Sequence, residues 1–416
     1  MPRRLVAPHL AAATLCLLGG PARAQEHVHG MTDTSRASVT LGGMAVLVAT
    51  QVNPAVRGRT LRELYLSQPM IMLHARTPND RLTAHVVLNA EGTFMRRGEL
   101  TPGIYGEGYI DRRHPHTTLH EAMLVARQSL GGASISLGAG KGFVPFGSDD
   151  PMSRPFQKFP VNHHIAQILE RAMVTVGARY GKLGLEGSLF NGDEPESPGD
   201  LPNLDRVGDS WSARATLTPI PGLEASVSAA RVVSPEDPQK KGLNQRKVHA
   251  NLRYERTAAR GLQYALAEYG NTGEYRRTRQ AWDFSSTLAE VGVALGPTRV
   301  ALRYERTSRP DEERAGGDFR SLRPLLDFSI LGRSQWDVAT FSVQAPRMVG
   351  ARLAVDPFIE GSLSRVRPTV QPTTFVPSDF YGASRLWTLS AGVRLHAGHM
   401  AARMGRYGAT QPARGF

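Results

Sequence analysis

The sequence predicts an all-β fold: a transmembrane antiparallel β-barrel of about 16 strands, with short periplasmic turns and long outer loops. Three observations carry this expectation. Apolar and polar residues alternate with a period of two along segment after segment. Tight turns rich in Gly, Pro, Asn and Asp alternate with long polar stretches. The longest apolar run after residue 30, Met44–Ala49, has six residues, whereas a spanning helix needs about 20.

The elements follow in chain order. Residues 1–24 read as an export signal. Arg3 and Arg4 precede the apolar stretch Ala11–Leu18, and Ala22-Arg23-Ala24 is a small-x-small cleavage pattern. The one cysteine, Cys16, lies inside this signal. The mature chain therefore holds none, which suits passage through an oxidising compartment without disulfides. Removing Arg3, Arg4 and Arg23 lowers the formal charge from +13 to about +10. Residues 25–37 are expected to be a periplasmic segment.

Strand 1 is expected at 38–50. Seven pairs follow, at 63–76/81–91, 119–129/132–144, 170–180/183–191, 209–218/222–233, 246–257/261–271, 282–295/298–308 and 335–345/350–365. A last strand is expected at 384–397, so the barrel occupies 38–397. The alternation is plainest in three places. Trp211, Ala213, Ala215 and Leu217 oppose Ser212, Arg214, Thr216 and Thr218. Val248, Ala250, Leu252 and Tyr254 oppose His249, Asn251, Arg253 and Glu255. Val300–Glu305 repeats the pattern, with Arg303 and Glu305 on the polar face. In an outer-membrane barrel the apolar face points to lipid and the polar face lines the lumen.

Turns such as Thr77–Asp80, Leu130–Gly132, Pro219–Gly222 and Gly296–Thr298 close the pairs. Between them lie stretches near 92–118, 145–168, 192–208, 234–245, 272–281, 309–334 and 366–383. Structureless connections this long are uncommon in a soluble domain. Short connections at one end and long ones at the other are the layout of a transmembrane barrel, and an even count leaves both termini on the periplasmic side. Residues 398–416 remain as a C-terminal tail or an extra strand.

A barrel of about 16 strands encloses an aqueous lumen. The expected function is passive diffusion of small hydrophilic solutes across the outer membrane, with loops and lumen charges setting selectivity. The stretch 145–168 is the candidate constriction loop. Its prolines and Phe143, Phe146, Phe156 and Phe159 suit a stiff segment folded inward, and a short helix is expected to start near Asn162. Arg154, Lys158, His163 and His164 would supply positive charge there, with Asp149 and Asp150 opposing it. Arg214, Arg253, Arg303 and Arg394 fall on lumen faces, which predicts a mild anion preference. The alternative is a surface loop with solvated charges.

Gly140-Lys-Gly-Phe-Val-Pro-Phe-Gly147 with Asp149-Asp-Pro151, and Leu189-Phe-Asn-Gly192, resemble segments of outer-membrane porins of the phosphate-selective O/P type. The resemblance covers roughly 120–195. It implies a 16-stranded porin, a homotrimeric assembly and a basic ladder that passes anions. Only six of the 50 basic residues are lysine, so it implies a porin more firmly than phosphate specificity.

Two other functional classes are weighed. His27-Val-His29-Gly-Met31 and the run His114, His116, His120 carry ligand types that suit copper or zinc, which would make a metal-linked outer-membrane protein. A barrel hydrolase would need a Ser/His pair drawn from distant strands. The chain has no Gly-x-Ser-x-Gly, His-Glu-x-x-His or Walker loop, so no enzymatic role and no cofactor are expected. Dispersed charge and an export signal exclude nucleic acid as the partner of this basic chain. Lipid and small polar or anionic solutes are the expected partners.

Overall fold

A computed structural model describes residues 35–54, 58, 60–94, 116–148, 151–195, 197–312, 330–350, 353–369, 376–398 and 403–411. The expected export signal and the expected sites at His27, His29, Met31, His114, Asp149 and Asp150 lie outside these residues.

Period-two patterning yields sixteen long strands. The first five are β1 (Ser38–Asn53), β2 (Leu61–Arg76), β3 (Leu82–Asn89), β4 (Leu119–Leu130) and β5 (Ala133–Gly142). Next come β6 (Arg171–Tyr180), β7 (Leu183–Phe190), β8 (Ser210–Ile220), β9 (Leu223–Val232) and β10 (Asn244–Glu255). Then follow β11 (Arg260–Arg276), β12 (Arg279–Leu295), β13 (Thr298–Glu312) and β14 (Ile330–Gln344). A two-residue piece, β15 (Met348–Val349), folds onto the start of β16 (Ala354–Pro368), and β17 (Arg385–Gly398) ends the sheet.

Each long strand pairs antiparallel with its neighbours in the chain, β14 pairing directly with β16. The β1–β17 ladder, from Gly42↔Gly398 to Asn53↔Trp387, closes the barrel. Closure leaves no edge strand to pair with another chain. No helix among the described residues is long and apolar enough to cross a membrane.

The faces are inverted relative to a water-soluble protein. On β8, Ser210, Ser212, Arg214 and Thr216 are buried, while Trp211 and Leu217 are exposed. On β10, Lys247, His249, Asn251 and Arg253 point in, and Val248 and Leu252 point out. On β13, Arg303, Glu305 and Thr307 point in, and Leu302 and Tyr304 point out. An apolar exterior over a polar interior is stable only when lipid covers the outside. The two copies of Leu-Arg-Tyr-Glu-Arg-Thr, at 252–257 and 302–307, lie on antiparallel β10 and β13, and both place their first arginine inward.

One expectation changes, and one pair of alternatives is resolved. The stretch 272–281 is not a loop, because β11 and β12 run on to an Arg276↔Arg279 turn. Residues 403–411 do not continue the sheet. They turn into the barrel, where Met404, Arg406, Tyr407 and Ala409 are buried. The apolar clusters therefore lie inside the barrel. Phe146, Ile168 and Tyr407 pack with Met123, Val125, Met173 and Phe190 of the wall, and Phe143 and Met404 pack with Met44, Met70, Met72 and Val87.

Candidate pore constriction

The segment from Phe143 to Glu170 leaves β5, crosses the lumen and returns to β6. Its legs bond to each other at the root, Val144 N–H to the Ile168 carbonyl at 3.0 Å and Ser148 N–H to the Ala166 carbonyl at 3.2 Å. Gly147 sits at φ +68°, so close to Ala166 O that a Cβ there would overlap it. Only glycine fits that crossing. The expected helix is one short turn, α1 (His163–Ala166), entered from Asn162.

The loop's far side is fastened to the opposite wall. Arg154 donates to Glu290 at 3.3 Å, to Glu268 at 3.4 Å and to Ser148 Oγ at 2.7 Å. The backbone N–H groups of Gln157 and Lys158 donate to the two oxygens of Glu360, at 2.9 and 2.7 Å. Val161 N–H donates to Glu305 at 2.8 Å, and Asn162 Nδ2 to Glu268 at 2.8 Å. Lys158 Nζ reaches Ser362 Oγ at 2.9 Å, and Arg303 reaches the Lys158 carbonyl at 2.9 Å. Charge-assisted bonds of this kind, in a buried setting, are strong and directional. Burial opposes the charge on Arg154, yet Glu268 and Glu290 outweigh it and hold the guanidinium protonated above its ordinary range.

The sequence-predicted basic residues therefore serve differently than expected. Arg154 and Lys158 are buried fasteners and not free charges at an eyelet. His163 bonds the Pro160 carbonyl through Nδ1 at 3.1 Å and packs on the half-buried His164, whose carbonyl accepts from Lys247 at 2.7 Å. The four wall arginines do face the lumen. Arg214 forks onto Glu186 at 2.6 and 2.9 Å, Arg253 bonds Glu255 at 2.8 Å, and Arg303 bonds Glu290 at 2.7 Å. Arg394 bonds the neutral Gln157 at 2.6 Å. Among the described residues eleven Lys and Arg and twelve Asp and Glu are buried, so interior charge is close to balanced.

The C-terminal tail is the second lumen element, with no role foreseen from sequence. Arg403 forks onto Glu224 at 2.9 Å through both oxygens, and Arg406 bonds Glu224 at 2.5 Å and Thr216 at 3.1 Å. Thr410 Oγ1 donates to Glu186 at 2.7 Å, and Arg179 holds the carbonyls of Ala409 and Thr410 at 3.2 and 3.3 Å. Tyr407 Oη accepts from Phe143 N–H at 3.0 Å, joining the tail to the loop. Burial and the neighbouring Glu121 push that phenol well above its ordinary value, so it stays protonated. The wall makes room with small inward residues: a Cβ at Gly142 would strike Tyr407, one at Gly177 would strike Ser136 Oγ, and Gly184 lies in van der Waals reach of Thr410. Ser136, Gly138, Gly142, Gly177 and Gly184 were the signal in the sequence, a smooth strip on the polar faces of three successive strands.

His116 and His120 meet at the root of the loop. Their Nδ1 atoms lie 2.7 and 2.9 Å from one oxygen of Glu170, whose other oxygen accepts from Thr117 N–H at 3.0 Å and pairs with Lys141 at 3.2 Å. Burial would raise the Glu170 carboxyl, but His120 and His116 outweigh it and hold it well below the usual carboxylate range. Its stabilisation is thus present above the ordinary carboxylate pKa of about 4.3 and is lost only as pH falls through the lower folded value. Glu170→Gln is expected to cost about 3 kcal/mol by leaving Lys141 buried without its carboxylate. The deficit, read as an earlier loss of compact electrophoretic migration on heating, should be constant from neutral pH down to mild acid and shrink below about pH 4. A deficit unchanged in strong acid would contradict the ionised anchor.

No protein-family model matches the chain, and no curated protein matches it by sequence. Solved structures share the fold. An anion-selective porin from Comamonas acidovorans superimposes with a TM-score of 0.51 at 12% identity, over 88% of this chain and 100% of that one. The outer membrane channel DcaP of Acinetobacter baumannii gives 0.50 at 12% identity, over 89% and 100%. At these identities the likeness establishes the barrel fold.

Proposed function

We propose that the protein is an outer-membrane porin, a channel for passive diffusion of small hydrophilic solutes with at most a mild anion preference, and not an enzyme. The observation that carries this is the loop 143–170, seated across the lumen of a lipid-coated barrel and bonded to the opposite wall. An inserted loop narrows the path and lets its own side chains set size and charge limits. The fold neighbours support the reading, being an anion-selective porin and an outer membrane channel. Near-balance of the interior charges argues that ion selectivity is small, and the mature chain's surplus of basic residues gives it an anionic sign.

Homotrimeric assembly, implied by the resemblance at 140–151 and 189–192, belongs to the same proposal and is read by cross-linking in native membranes. The diffusion function is tested by liposome swelling. Proteoliposomes should swell in isotonic pentose and hardly at all in a trisaccharide. Swelling at the protein-free rate in every sugar would overturn the proposal.

A further inference from the structure

The lumen holds a cluster of soft ligand side chains that diffusion does not use. His74 on β2 and His85 on β3 are direct cross-strand partners, both inward and buried. Their Nδ1 atoms lie 3.2 Å apart, with ring centroids at 4.3 Å. Two imidazole donors on one tetrahedral ion, at about 2.0 Å each, stand about 3.3 Å apart. Met72, two residues along the same face as His74, and Met404 from the tail border the same enclosed cavity of about 20 Å³. That space fits one water-sized particle and little more.

We propose that His74, His85, Met72 and Met404 form a binding site for a soft monovalent metal ion of the Cu(I) and Ag(I) class. Thioether and imidazole together select soft ions over Mg²⁺, Ca²⁺ or Mn²⁺. Arg403 and Arg406, which also border the cavity, are both engaged by Glu224. The two arginines share that one carboxylate and Arg406 also lies 3.5 Å from Glu186, which Arg214 already engages, so about one positive charge remains at the border and a monovalent ion is tolerated better than a divalent one. Met44 and Met70 continue the cluster on the wall side. Methionine is interchangeable with leucine for filling space, so packing alone does not require four of them at one place. The site closes only when the tail is seated, because Met404 belongs to the tail. The proposal needs the inserted tail but not solute permeation.

Silver(I) is the redox-inert probe, titrated calorimetrically into the folded full-length mature protein, with X-ray absorption at the silver edge reading the ligand atoms. One equivalent should bind with both nitrogen and sulfur in its shell. Met72→Leu with Met404→Leu, which keeps volume, should weaken binding at least tenfold and remove the sulfur signal. His74→Gln should weaken it comparably. His120→Gln should leave it unchanged. The proposal is overturned by absence of binding, by binding indifferent to the methionine and His74 substitutions, by loss on His120→Gln, which would put the ion beside Glu170, or by loss on deleting residues 25–34, which would put it on His27, His29 and Met31. Electrophoretic heat-modifiability confirms that each variant is folded, and the leucine pair keeps the test decisive if His74→Gln is not.

Discussion

A chain ending at residue 402 is expected to conduct roughly twofold more current per channel, or more, than the full-length protein. The tail fills the side of the lumen bounded by β5 to β9, through bonds to Glu186, Glu224, Ser136 and Arg179. Its removal leaves a strip of serine and glycine, which adds no bulk to the path. Truncation also removes Arg403 and Arg406. Glu224 then loses both arginines, while Glu186 keeps Arg214. The reversal potential should accordingly move toward cations. The barrel itself should survive, because the carboxylate released by the tail becomes hydrated and no strand pairing is lost. A folded truncated protein with unchanged conductance would show that the tail does not obstruct the path.

Arg154→Met is expected to free the loop from the far wall. The arginine joins two carboxylates, Glu268 and Glu290, that have no exposed side-chain surface. Removing one partner from a buried charge network costs about 3–5 kcal/mol, and the two glutamates repel each other once it is gone. Arg303 still pairs with Glu290, so the cost falls mainly on the Glu268 side, where Asn162 is attached. The loop is then held by its backbone bonds to Glu360 and Glu305 and by the single bonds Lys158–Ser362, Arg303–Lys158 and Arg394–Gln157. Limited trypsin digestion reads the result. Lys158 is buried in the native loop and should resist cleavage, whereas the Arg154→Met variant should be cut after it, with noisier channel current. Equal resistance in the two proteins would show that the remaining bonds suffice without Arg154.

The parts of this structure visible in the sequence are those governed by lipid. Where strands cross an apolar layer, a period of two is imposed on every residue, so Trp211–Thr218 and Val248–Glu255 identify their own inner and outer faces. Where strands rise beyond that layer, water bathes both faces and the pattern fades. Residues 272–276 are Thr, Gly, Glu, Tyr and Arg, and they look like a loop although they pair as strand. The position of the inserted loop was legible from its length, prolines and phenylalanines. Its fastening was not, because Arg154 and Glu290 stand 136 residues apart and no local signal links them. The alternation placed Glu305 on a polar face but named no partner for it. In the fold, Glu305 and Glu360 are acceptors for the loop's backbone N–H groups. The tail's insertion into the lumen was missed because its sequence is neither alternating nor helical. Its complement was written in the small residues of β5 to β7, which nothing in the tail itself announces.

The central claim is that a closed barrel with two inserts still conducts. The most direct measurement is to reconstitute the folded, full-length mature chain in a planar bilayer under a KCl gradient and record current. Discrete steps, small for a barrel of this strand number, with a reversal potential displaced slightly toward chloride, are the expected result. Absence of steps from protein with heat-modifiable migration would mean that loop and tail seal the lumen, and would contradict the claim.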